Sequence, residues 1–125
     1  MTDHTIVAVV DDLMFQSKLE QETRRLGYAF VAVDSETELR EALGRAAALA
    51  VVDLHVRGCE WQQAISIAKE HGVRVLAFGR HTEAQLLRDA RNAGCDRVVA
   101  RSQLVEELPK LIEAILSTDA ERING

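Results

Sequence analysis

The chain has 125 residues, 47% of them hydrophobic and 28% charged, and carries a net charge of −5. That composition suits one compact domain with a core and a charged surface, and it excludes disorder over most of the length. The acidic balance argues against nucleic-acid binding, which wants a basic face, and no apolar run approaches the roughly 20 residues that span a bilayer.

The first run, "TIVAVV" at 5–10, is apolar throughout and of strand length. It fits a strand buried on both faces, as in a parallel sheet. Phe15, Leu19, Thr23 and Leu26 then recur at helical spacing, and Gly27 ends that helix. A second strand follows in "YAFVAV" at 28–33, and "SETE" at 35–38 is a capping box that opens the second helix, with Leu39, Ala42 and Leu43 inward. The third strand is "ALAVVD" at 48–53, and Trp61, Ala64, Ile65 and Ala68 line the helix after it. "VRVLAF" at 73–78 is the fourth strand, "TEAQ" at 82–85 reads as another capping box with Thr82 as N-cap, and Gly94 closes that helix. The fifth strand is "RVVA" at 97–100. Leu104, Leu108, Leu111, Ile112 and Ile115 line the last helix, whose regular part is expected from about Val105 because Pro109 is tolerated only near a helix start. Residues 118–125 read as a polar tail.

Five β-α units in a row predict an α/β fold, with a parallel sheet, right-handed crossovers and helices on both faces. The expected architecture is a flavodoxin-like (βα)5 sandwich with strand order 2-1-3-4-5, one domain over 1–117. Ligands of such sheets sit beyond the carboxyl ends of the strands, at the switch point between strands 1 and 3. Strand 1 ends in Asp11 and Asp12, and strand 3 ends in Asp53. One such Asp is an ordinary cap or turn residue. Three at the ends of two central strands predict a shared pocket, where mutual repulsion would be relieved by a hard divalent cation such as Mg²⁺.

Over residues 5–117 the pattern resembles a response-regulator receiver domain. The pieces that carry the resemblance are "VAVVDD", "AVVDL", "RVLAF", "NAGCDRVVAR" and "LVEELPKLIEAIL". The resemblance implies that Asp11 and Asp12 bind Mg²⁺ together with Asp53 and the backbone carbonyl of His55. It implies that Asp53 accepts a phosphoryl group from a histidine kinase, a phosphotransfer protein or a small phosphodonor. Arg101 stands at the family's Lys position, with the charge kept but a planar fork in place of a compact ammonium. Gly79 stands where the family has Ser or Thr, Val98 where it has a switching aromatic, and Ser102 where it has Pro. These departures fall on the relay more than on the acceptor.

The leading expectation is therefore a stand-alone, receiver-like signalling module in a two-component phosphorelay, acting through its fourth helix, fifth strand and fifth helix on a downstream protein target. It is not expected to be an enzyme beyond self-phosphorylation and dephosphorylation at Asp53. The alternative is a phosphorylation-independent pseudo-receiver, a protein-interaction or dimerisation module in which a second copy of the chain is the partner. A phosphohydrolase using Asp53 as nucleophile ranks below both, since no acid-base partner lies one turn beyond it. Cys59 and Cys95 have no metal spacing and read as free thiols, and no signal-peptide pattern opens the chain, so the expected location is the cytoplasm.

Overall fold

The computed structural model of the chain describes residues 5–124, with side chains described through residue 117. Five strands alternate with five helices: β1 (Thr5–Val9), α1 (Leu13–Arg25), β2 (Ala29–Val33), α2 (Glu36–Leu43), β3 (Ala47–Asp53), α3 (Trp61–Glu70), β4 (Arg74–Gly79), α4 (Ala84–Asn92), β5 (Arg97–Ala100) and α5 (Arg101–Asn124). All neighbouring strands run parallel, in the order β2-β1-β3-β4-β5. The sequence reading of fold class and strand order holds. The polar tail read at 118–125 lies outside the residues whose side chains are described.

Successive side chains of a strand point to opposite faces, and here both faces are covered. Val7, Val9, Ala50, Val52, Val75, Ala77 and Val98 pack on one side with Leu39, Ile65, Ala68 and Leu87 from α2, α3 and α4. Ile6, Ala8, Leu49, Val51, Leu76, Phe78 and Val99 pack on the other with Phe15 and Leu19 of α1 and Leu104, Leu108 and Ile112 of α5. Double coverage is why the central strands read as unbroken apolar runs. Phe78, fully buried and 5.0 Å from the Phe15 ring, contributes about 1.5–3 kcal/mol by burial alone.

Local details correct four expectations. Leu26 is exposed at the end of α1, because the cap turns the chain away from the core before that side chain can enter it. At α2, Ser35 caps the Glu38 amide as expected, but Glu38 reaches one residue further back and accepts from the Asp34 amide. The "TEAQ" box does not form: the N-cap of α4 is Glu83, without a side-chain cap, and the Glu83 carboxylate is engaged elsewhere. The last helix starts earlier than expected, at Arg101, and breaks at Glu107 (φ −121°, ψ 19°). The break puts Pro109 in the first turn of the segment that follows, where its missing N–H has no intrahelical partner to lose.

The loop after β3 is held tightly. A Cβ on Gly58 would lie 1.8 Å from the backbone oxygen of Asp34, so only glycine lets the two loops meet. Gly58→Ala is expected to cost about 2 kcal/mol, in the range of overpacked sites, seen as a lower urea midpoint with the slope unchanged.

Candidate functional site

The sheet places Asp53 last in its central strand, paired in register with Phe78 of β4. Strand alternation carries its side chain to the α1/α5 side, the side of Phe15 and Phe78. Asp53 is 6% exposed, one of two buried polar residues among those described. A carboxylate taken from water needs hydrogen bonds or opposite charge. It has one of each: the His55 amide donates to Asp53 Oδ1 at 2.8 Å, and Arg101 acts on it through space. Desolvation nonetheless wins, and burial holds the Asp53 carboxyl above the ordinary 3.8, with a further upward push from Asp11.

Asp12 has a different setting. It is the N-cap of α1, with Oδ1 accepting from the Met14 and Phe15 amides at 3.0 and 3.1 Å. Its Oδ2 accepts from Arg101 Nη2 at 3.2 Å. The Phe15 amide bond first, and then the Arg101 guanidinium, hold its carboxyl below 3.8. Arg101 lies with its guanidinium carbon 4.2 Å from the centre of the Phe15 ring, a cation–π contact that fixes the plane of the fork. Arg101 is thus the side chain that touches Asp12, stacks on Phe15 and carries charge toward Asp53. Asp12 and Phe15 come from the start of α1, and Asp53 from the far end of β3.

Asp11 points to the other flank. Its Oδ2 accepts from the Arg57 amide at 2.7 Å, tying the loop after β1 to the loop after β3. On the opposite flank His55 Nε2 meets Glu83 Oε1 at 2.6 Å, joining the loop after β3 to the start of α4. Among the described residues, no group of three or more His, Cys, Asp or Glu side chains stands close enough to hold a metal ion.

The two positions read as relay losses are closed. A Cβ on Gly79 would meet Leu54 Cδ1 and Leu87 Cδ2, each at 3.3 Å, so even the first atom of a side chain is tight there. Val98 is buried in the core on the α4 side. Cys59 and Cys95 are free thiols; burial pushes both up, Cys95 to about 12, which leaves it inert as a nucleophile at neutral pH. Among the described residues no helix is long and apolar enough to cross a membrane.

Sequence reasoning missed Glu83, Arg57 and the Phe15 platform. The His55–Glu83 contact spans 28 positions and the Asp11–Arg57 contact uses a backbone amide, so neither leaves a spacing or composition signal. Phe15 was legible only as a core residue.

No protein-family model and no curated protein sequence matches the chain. Solved structures do. NtrX from Brucella abortus superposes with a TM-score of 0.86 at 17% identity, over 99% of this chain and 29% of that one. The chain thus spans about three tenths of the length of NtrX. The receiver domain of the TMAO respiratory system response regulator TorR gives 0.83 at 20% identity, over 92% of this chain and 98% of that one. A response regulator protein from Burkholderia pseudomallei, solved with a phosphorylated aspartic acid, a calcium ion and citrate, gives 0.76 at 20% identity, over 96% and 73%. The chain has the receiver-domain fold.

The raised Asp53 carboxyl gives a sign for stability. Folding penalises its charged form, so the penalty is absent below pH 3.8, where both states are protonated, and complete once the pH passes the raised folded-state value. Asp53→Asn removes the charge and keeps an oxygen for the His55 amide. It is expected to raise Tm by a few degrees at neutral pH, with the gain shrinking as pH falls toward 3.8; differential scanning calorimetry across pH reads it.

Proposed function

We propose that this chain is a receiver-type signalling module whose chemistry centres on Asp53. The observation that carries the reading is a buried carboxylate at the end of the central strand, in the charge field of Arg101, within a receiver fold. The phosphorylated aspartic acid and calcium ion of the Burkholderia neighbour support the same chemistry. Here Asp53 is the phosphoacceptor: one of its oxygens bonds to phosphorus as the donor's P–N or P–O bond breaks, and the leaving group departs with its electron pair.

The donor set suits magnesium in a water-rich site. Mg²⁺ needs only one or two carboxylates beside its waters. Asp53 Oδ2 and Asp11 Oδ1 have no hydrogen-bond partner among the described residues, and the His55 carbonyl lies two residues on. Asp12 suits direct ligation less, since both its oxygens are engaged. When bound, the ion would neutralise phosphoryl oxygens and orient them for in-line attack. Arg101 supplies the second positive charge, already oriented by Asp12 and Phe15. In this reading the chain turns over no separate substrate. Its partners are a histidine kinase or phosphotransfer protein and a downstream protein, and it works in the cytoplasm.

A second reading is favoured by Gly79 and Val98. A signal passes from an occupied site only if some contact differs between two states. The closed pocket at Gly79, filled by Leu54 and Leu87, and the packed Val98 leave little to move at those positions. A pseudo-receiver would present the same surface, to a protein partner or a second copy, whatever the state of Asp53.

Beryllofluoride with Mg²⁺ separates the readings. The first expects saturable binding, seen as amide shifts centred on Asp53 and His55 and abolished by Asp53→Asn. Absence of binding at millimolar Mg²⁺ sinks it. Shifts confined to the site, with α4 and β5 unmoved, favour the second.

A further inference from the structure

A groove of about 530 Å³ opens between the turn after β4 and the first turns of α5, lined by Arg80, His81 and Thr82 on one wall and by Arg101, Ser102, Val105 and Glu106 on the other. In a chain of net charge −5, this groove gathers two guanidiniums and an imidazole against a single carboxylate. Among the described residues, Arg80 and His81 have no ion-pair partner. The nearest acid in sequence, Glu83, is occupied by His55 at 2.6 Å, and Asp12 is occupied by Arg101 at 3.2 Å. Arg80 and His81 are therefore left facing solvent, while Arg101 reaches the groove already paired with Asp12, and Glu106 is the one acid in the lining.

Two further features sharpen the chemistry. β5 ends at Ala100 and α5 begins at Arg101, so the second wall, Arg101, Ser102, Val105 and Glu106, comes from the one short helical segment before the break at Glu107. No Phe, Tyr or Trp side chain lines the groove, and six of its seven lining residues are polar. The hydroxyls of Thr82 and Ser102 and the Glu106 carboxylate instead offer partners for ligand hydroxyls. The volume falls within the range of small-molecule sites.

We propose that this groove binds a small hydroxylated phosphate ester, its phosphate held by Arg80, His81 and Arg101 and its hydroxyls by Thr82, Ser102 and Glu106. Arginine forks pair with phosphate in a bidentate manner, and such charge-assisted bonds are about twice as strong as neutral ones. The groove shares Arg101 with the rim around Asp53 but does not use the Asp53 carboxylate.

The test is a titration of the full chain at low ionic strength, where exposed charges are least screened, followed by amide NMR. Glycerol 3-phosphate is the probe, inorganic phosphate shares its oxyanion, and glycerol lacks it. Both phosphates are expected to shift the amides of 80–82 and 101–106, in the native chain and in Asp53→Asn alike, and glycerol is not. The double variant Arg80→Gln/His81→Gln alters two exposed side chains and should weaken binding about tenfold or more, the loss expected for charge-assisted contacts. Equal affinity in that variant overturns the proposal. So does the absence of shifts at millimolar probe, or a set of shifts centred on Asp53 and lost in Asp53→Asn. Retention of binding in Asp53→Asn marks the groove as distinct, whatever the beryllofluoride result.

Discussion

A carboxylate buried at the end of the central strand is the constraint around which the rim is arranged. β3 is covered on both faces, so its last residue leaves the core before solvent can reach it fully. An acid there costs free energy unless something compensates. The compensation is partial: one amide bond and one cation at a distance, with the balance still pushing Asp53 upward. The incompletely satisfied charge leaves Asp53 disposed to take up a proton or a positive partner. A fully paired Asp53 would be a structural residue.

The loops around it are tied at several points and by different means. A backbone amide bonds Asp11, a glycine lets the Asp34 backbone approach, and a histidine ring reaches Glu83. Together they hold residues 54–60 between the loops after β1, β2 and β4. Arg101 is held in turn by Asp12 and Phe15. Its pair with Asp12 is about half exposed on both sides and adds little to stability. Its value is positional, because it fixes where the charge sits relative to Asp53.

The fold was legible because hydrophobic period and local punctuation agree at nearly every strand and helix. Apolar runs marked strands buried twice over, and Gly27 and Gly94, both at positive φ, marked helix ends. The acids were legible because strand ends in such a sheet converge by topology. Their individual roles were not. Asp11 and Asp12 are adjacent and alike in sequence, yet one bonds the loop after β3 and the other caps α1 and holds Arg101. That division depends on where α1 starts, which is a matter of one residue. Thr82 failed as a cap for a related reason: the same local pattern can be satisfied one residue later, and the tertiary contact to His55 claims the Glu83 side chain.

Gly79 sits where the core leaves no room for a side chain. The space a side chain would take is occupied from both sides, by Leu54 of the loop beside Asp53 and by Leu87 of α4. Those two leucines belong to one continuous core with Val98. Close-packed interiors resist small displacements and yield only by switching between discrete packings. Behind Gly79 the contact from the Asp53 loop to α4 therefore runs through packed apolar groups, and the polar link on that side is His55, whose amide bonds Asp53 and whose ring meets Glu83 at the start of α4. On the α5 side the connection runs through Arg101, which is charged, half-exposed and held by Asp12 and Phe15. Chemistry at Asp53 would therefore have two routes outward, one through His55 to Glu83 at the start of α4 and one through Arg101 along the first turn of α5, whose wall is shared with the cationic groove.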